Sequence, residues 1–166
     1  DGGVNTSWDS GAHWTKCNHT SVAQCYAIEV DDAEPYNVYV GLQDNGVWVG
    51  PSDYEASMRW HSTGRYPWEE LGGGDGMQIE VDPRNPDRVF FGSQFGWYER
   101  LDRATGERVD IHPKHELGET PLRWNWQTPI LISRHAPDTV YIGANRIFRS
   151  VDSGEHWEAI SGDLTR

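Results

Sequence analysis

Short β-branched runs recur along this chain at a fixed interval. Ile28-Glu29-Val30-Asp31, Ile79-Glu80-Val81-Asp82 and Ile130-Leu131-Ile132-Ser133 are each displaced from the last by 51 residues. Each leads through a polar turn carrying proline (Pro35, Pro86, Pro137) into a second apolar run: Val38-Tyr39-Val40-Gly41, Val89-Phe90-Phe91-Gly92 and Val140-Tyr141-Ile142-Gly143. Gln43, Gln94 and Asn145 keep the spacing, each two residues past its glycine. Runs of this length, rich in β-branched and aromatic residues and bounded by turn formers, predict strands. A third strand per unit is predicted at 47–49, 97–101 and 147–151, and a fourth at 68–71, 108–111 and 157–160. No stretch carries an amphipathic helical period.

Four strands about every 50 residues is the size of one propeller blade, and longer than a leucine-rich or ankyrin unit. The segments Ser7-Trp8-Asp9-Ser10-Gly11-Ala12-His13-Trp14 and Ser150-Val151-Asp152-Ser153-Gly154-Glu155-His156-Trp157 share the pattern Ser-x-Asp-x-Gly-x-x-Trp. They place the start of the chain in the third strand of one blade and its end just after the fourth strand of another. The predicted fold is therefore all-β: a partial propeller of about three four-stranded antiparallel blades plus half a blade. The expected divisions are residues 1–22 for the half blade, then 23–71, 72–122 and 123–166. Such an arc leaves two sheet edges open. The expectation is a fragment of a larger propeller, with assembly of copies into a ring as the alternative.

The octapeptide resembles the Asp box of the BNR-type repeats found in sialidases, sortilin-like receptors and two-propeller xyloglucanases. In that superfamily the box forms the turn between third and fourth strands, where the periodicity also puts it. Further segments are similar to a bacterial branch described as sortilin-like or glycosyl-hydrolase-like. These are Tyr39-Val40-Gly41-Leu42-Gln43-Asp44-Asn45-Gly46, Gly72-Gly73-Gly74-Asp75-Gly76 with the run into Pro83, Arg123-Trp124-Asn125-Trp126-Gln127-Thr128-Pro129-Ile130, and the ending from Ile160 to Arg166. The resemblance covers nearly the whole chain and implies the fold far more firmly than an activity, because propellers host many functions. The corresponding turns of the two middle units lack the box, so the box is not a repeated functional site.

Composition agrees with many short strands: 18 glycines, 9 tryptophans and 7 tyrosines stand against 2 methionines. The formal net charge of -12 opposes a nucleic-acid partner, and no local basic patch offsets it. No apolar run is long enough for a membrane span. The opening Asp1-Gly2-Gly3 carries no initiator methionine and no leader pattern, so the reading is a processed or excised chain. Cys17 and Cys25 flank the sequon Asn18-His19-Thr20. A disulfide between them is one expectation, and two unpaired thiols the other. A pair would fit an exported protein, whether periplasmic, extracellular or on the cell surface.

In the boxes, Asp9 and Asp152 are read as turn-holding carboxylates rather than metal ligands or acids. Ser7, Gly11, Trp14, Ser150, Gly154 and Trp157 complete the two structural motifs. The ligand face is expected where loops entering each first strand meet loops joining second to third strands. That rule selects Gln43, Asp44, Asn45, Asp75, Gln94, Arg123, Trp124, Asn125, Trp126, Asn145 and Arg146. Carboxylates, amides and aromatic rings together suit a glycan or peptide. The plain alternative is that the amides tie blades together and the tryptophans are inter-blade core. The functional expectation is a ligand-binding or interaction scaffold with no cofactor and no metal. Its partners would be a glycan or peptide, and the remaining blades of a parent chain or a second copy. A glycoside hydrolase using Asp44 and Asp75 as its acid and base is the first alternative, in which case the chain by itself would be inactive. A purely structural interaction propeller is the second.

Overall fold

A computed structural model describes residues 4–17, 23–55, 57–63 and 66–165. The sequon at 18–20 and Arg166 lie outside the described residues. The chain is all-β, with three four-stranded antiparallel sheets and one two-stranded sheet. The two-stranded sheet pairs β1 (Val4–Thr6) with β2 (Thr15–Cys17). The first four-stranded sheet contains β3 (Cys25–Val30), β4 (Asn37–Leu42), β5 (Gly46–Pro51) and β6 (Glu69–Gly72). The second contains β7 (Glu80–Val81), β8 (Arg88–Ser93), β9 (Trp97–Asp102) and β10 (Glu107–Asp110). The third contains β11 (Ile130–Ile132), β12 (Val140–Gly143), β13 (Ile147–Ser150) and β14 (Glu158–Ala159). In every sheet, strands adjacent in sequence are adjacent in space, the meander expected of propeller-like blades. The described sheets show no ring closure.

The 51-residue period is a packing period. Successive residues of a strand face opposite ways, and β8 uses both faces. Val89 and Phe91 join Tyr39, Val47, Val49, Leu71, Ile79 and Leu101 in one buried cluster, shared by the first and second sheets. Phe90 joins Met77, Tyr98, Ile111, Ile130, Ile132, Val140, Ile142 and Phe148 in another, shared by the second and third. Strands buried on both sides read as continuous apolar runs, which is why the second strand of each unit is the most hydrophobic. Each fully buried aromatic contributes about 1.5–3 kcal/mol. The first strands lie side by side, β7 touching both β3 and β11.

The turns after the first strands repeat as well. Asp31, Asp82 and Ser133 sit one repeat apart. Asp31 accepts from the N–H groups of Asn37 (2.8 Å) and Ala33 (3.2 Å), Asp82 from that of Arg84 (2.9 Å), and Ser133 Oγ from that of Ala136 (3.2 Å). Each short side chain thereby pins the polar turn predicted there. The Arg84 guanidinium also reaches Asp138 at 2.6 Å, linking the turns of the second and third sheets.

One detail differs from the sequence reading. A one-turn helix, α1 (Arg59–Thr63), lies in the insertion between β5 and β6, where no helix was expected. The hydroxyls of Ser62 and Thr63 hold it by bonding the carbonyl of Arg59, a local device without a period to betray it. Cys17 and Cys25 are free thiols, the second of the two expectations for them. Cys17 closes the two-stranded sheet with its sulfur 3.2 Å from Thr6 Oγ1, while Cys25 opens the next sheet.

Candidate functional site

The loops selected from the register form a hydrogen-bonded chain running from sheet to sheet. The β4–β5 loop meets the approach to β7: Asp44 N donates to Asp75 Oδ1 at 2.7 Å, Gly46 N to Gly74 O at 2.8 Å, and Gly76 N to Leu42 O at 2.9 Å. Asp75 is buried and its own N–H donates to Gln94 Oε1 at 3.1 Å. The β8–β9 loop then meets the approach to β11, Phe95 N donating to Trp126 O at 3.2 Å. Arg123 N donates to Oδ1 of buried Asn145 at 3.1 Å, and Asn145 N returns a bond to Arg123 O at 2.8 Å. The chain ends on Asp163, which receives Arg123 Nη2 at 2.8 Å and Asn145 Nδ2 at 3.1 Å. Its carboxyl is held well below the usual carboxylate range, first by the Thr165 N–H and then by Arg123 and Asn145.

Gln94 and Asn145 therefore brace the approach loop of their own sheet, each through its amide oxygen. Asp75 braces the loop of the preceding sheet. Asn45 Nδ2 donates to Gln43 O at 2.9 Å, and Asn125 Oδ1 accepts from Trp126 N at 2.8 Å. Asp44, Asn45, Arg123, Asn125, Trp126 and Arg146 are exposed, Gln43 and Trp124 half-buried. The polar residues named from sequence thus divide into a buried bracing layer and an exposed set above it.

The exposed set includes aromatic rings: Trp126, selected from the sequence, and Phe95 and Trp97, which were not. Phe95 and Trp126 are 47% and 42% exposed and meet edge to face with centroids 5.1 Å apart. Trp97, 60% exposed, lies 4.6 Å from the ring of His112, which faces Trp124 at 6.5 Å. Trp124 packs flat on the backbone of Gly96, where an added Cβ would meet its ring at 2.4 Å. Phe95 adopts φ 62°, a conformation costly for a bulky residue. The signal for it was present in the register: Phe95 occupies the position that Asp44 holds one repeat earlier.

Away from these loops, the two Asp boxes carry one hydrogen-bond pattern. Ser7 Oγ donates to Asp9 Oδ1 at 2.9 Å and Ser150 Oγ to Asp152 Oδ1 at 2.7 Å. Gly11 N and Gly154 N donate to those serine oxygens at 2.7 and 2.8 Å. His13 N and His156 N both donate to the aspartate Oδ1 at 2.9 Å, and each imidazole Nδ1 meets the other carboxylate oxygen. The histidine side chain, then its N–H, lowers the Asp9 pKa; in Asp152 the same two bonds act in the reverse order. Their surroundings differ. Trp157 packs against the core shared by the second and third sheets, whereas Trp14 is 66% and Trp8 89% exposed.

The inner strands supply one more feature that the sequence did not flag. Ile130 N and Ile132 N lie on the free edge of β11 and donate to Gln78 Oε1 and Glu80 Oε2, each at 3.3 Å. Side chains of one sheet so satisfy the open edge of the next. Glu80 lines a cavity of ≈ 190 Å³ with Glu29, Asp82 and Arg134. Burial pushes its carboxyl up to about 7, assisted by the charge of Glu29 and opposed by the Ile132 N–H and Arg134. Among the described residues no group of three His, Cys, Asp or Glu side chains is placed to hold a metal ion.

The chain matches no protein-family model, and a search of curated proteins found no match.

Proposed function

We propose that this chain is part of an exported Asp-box propeller of the BNR type, and that it binds carbohydrate through the loops at 94–97 and 123–126. The observation that carries the reading is Phe95, an exposed phenylalanine held at φ 62° and set against an exposed tryptophan. Left-handed backbone costs a non-glycine residue about 1–2 kcal/mol, and exposing the ring forgoes its burial. Strain of this kind concentrates at ligand clamps. Rings with free faces cover the apolar face of a sugar, while Asn125, Arg123 and Asp44 alongside offer donors and acceptors for hydroxyls. The backbone N–H groups of Asp75, Arg123 and Asp44, held by the side-chain oxygens of Gln94, Asn145 and Asp75, keep these loops rigid, which limits the ordering cost of binding.

The Asp-box part of the reading is supported by the one hydrogen-bond pattern that the two octapeptides share. A hydrolase built on Asp44 and Asp75 finds less support, because the Asp75 carboxylate is buried and engaged by the Asp44 N–H. The test is titration of the chain with a panel of neutral and acidic oligosaccharides and of peptides, followed by tryptophan fluorescence and calorimetry. Saturable oligosaccharide binding that is lost in Trp126→Ala and Phe95→Ala supports the proposal. Binding of peptides alone, or oligosaccharide binding indifferent to both substitutions, overturns it.

A further inference from the structure

The loop junction between the second and third sheets repeats the one between the first and second with its small and acidic residues exchanged for aromatic ones. At the earlier junction four positions carry Asp44, Gly46, Gly73 and Asp75. One repeat later the same four carry Phe95, Trp97, Trp124 and Trp126. The backbone frame is kept: Ser93 pairs with Trp97 as Leu42 pairs with Gly46, and the Phe95 N–H crosses to Trp126 as the Asp44 N–H crosses to Asp75. The earlier version shows that the fold closes this junction without a ring at any of the four positions. Burial does not account for the later version, because Phe95, Trp97 and Trp126 all stay exposed. The second sheet shares a core with a sheet on each side, so blades added beyond the first or third would pack elsewhere.

The rings fall into two places, one on either side of Gly96 in the chain. In the first, Phe95 meets Trp126 edge to face. In the second, Trp97 rests against His112 with ring centroids 4.6 Å apart. His112 is itself fixed: its Nδ1 lies 2.6 Å from Asp110 Oδ1, its N–H donates to the same oxygen at 3.2 Å, and Lys114 donates to the other carboxylate oxygen at 3.0 Å. Trp124 joins the two places, packed on the Gly96 backbone and edge-on to the His112 ring. Phe95 and Trp97 are two residues apart, which limits their Cα separation to about 7 Å. Asn125, between the two loop tryptophans, uses its Oδ1 to hold the Trp126 N–H, which leaves its amide nitrogen as a donor for a hydroxyl.

We infer that the two places are adjacent subsites, Phe95 with Trp126 for one sugar and Trp97 for the next, and that the ligand is a linear glycan held along its length by at least two consecutive units. The inference rests on the carbohydrate reading above and adds the form of the ligand to it. One platform serves a single sugar. A second exposed tryptophan, backed by an immobilised imidazole and close along the chain, contributes only to a ligand long enough to reach it. Each unit of a linear glycan offers an apolar face to a ring and a rim of hydroxyls to groups such as the Asn125 amide. Once the first unit is seated, the second meets its ring at high effective concentration, so the added contact raises the affinity of the whole chain of sugars.

The test is calorimetric titration with linear oligosaccharides of glucose, mannose and N-acetylglucosamine, each from one unit to six, on wild type, Trp97→Ala, Trp97→Tyr and Trp126→Ala. The substituted positions are exposed, and circular dichroism checks that each variant is folded. For the series that binds, wild-type affinity is expected to rise at least about tenfold between one unit and three. Trp97→Ala is expected to bring the three-unit ligand down to the single-unit affinity, while Trp97→Tyr, which keeps a ring, retains most of the rise. Trp126→Ala is expected to weaken every length. Affinity that does not change with length in wild type, or a rise that survives in Trp97→Ala, overturns the two-subsite inference. Binding that is nevertheless lost in Trp126→Ala would leave the carbohydrate reading standing, whereas a wild type that binds no length of any series overturns both.

Discussion

Asp44 and Phe95, one repeat apart, share one backbone conformation, with φ at 59° and 62°. Each donates its N–H across to the approach loop of the next sheet, Asp44 to the Asp75 carboxylate and Phe95 to the Trp126 carbonyl. Asp75 and Trp126 are themselves one repeat apart. The same bend and the same cross-link are thus built twice, once in polar residues and once in aromatic ones. Aspartate tolerates left-handed backbone far better than phenylalanine. The aromatic version is the costlier of two solutions the fold already possesses.

Replacing Phe95 by asparagine separates structure from recognition. The substitution relieves about 1–2 kcal/mol of backbone strain and gives up a ring contact worth about 0.5–1.5 kcal/mol. Urea denaturation is therefore expected to show a net change within about 1 kcal/mol, while oligosaccharide affinity falls at least tenfold. A loss of about 3 kcal/mol or more would mark Phe95 as core.

Asp75 is expected to behave as a brace. Asp75→Asn keeps an oxygen for the Asp44 N–H and should stay within about 1 kcal/mol of wild type, whereas Asp75→Ala leaves that N–H unpaired and costs about 1–3 kcal/mol. A carboxylate used as an acid or base would give the opposite pattern on any glycoside the protein cleaves. Asn would then abolish turnover at unchanged stability.

The strands were legible in the sequence because every second-strand residue is constrained on one face or the other. Val89, Phe90 and Phe91 leave no position free to vary in character. The loops were legible only in outline. Register alone put Gln94, Asn145 and Asp75 among the loops that meet, but an amide reads the same whether it braces a backbone or faces a ligand. Burial separates those roles: Asp75 and Asn145 are buried, whereas Trp126 is exposed. Phe95 was overlooked because an apolar residue in a loop reads as packing, and its exposure and backbone angle belong to three dimensions. The one-turn helix at Arg59 is too short for periodicity to register.

The two boxes allow a matched comparison of glycine replacements. Gly11 and Gly154 share φ 93°, so alanine meets the same backbone penalty at each. Only at 154 does the new methyl also meet Ile111, a β-branched neighbour that cannot swing aside. Gly154→Ala is expected to destabilise by about 1–3 kcal/mol more than Gly11→Ala in thermal or urea unfolding. Equal effects would mean that the second box is not wedged between sheets.

Glu80 gives the protein an unusual response to neutral pH. Its carboxyl is raised from 4.5 to about 7 by burial, so between those values the folded chain holds a proton that the unfolded chain releases. Stability therefore falls as pH rises through this window and levels above it. Carboxylates such as Asp82 and Asp138 act in the opposite sense. Their lowered pKa values, held down by Arg84, stabilise above the unfolded value of 3.8 and lose that effect as pH falls below it. Glu80→Gln keeps an acceptor for the Ile132 N–H and removes both the titration and the repulsion from Glu29. The variant is expected to match wild type near pH 4.5 and to exceed it by about 1–3 kcal/mol at pH 8, read from urea midpoints. The difference should open between pH 4.5 and 7, and a gap of equal size at both ends would show that Glu80 does not titrate in that range.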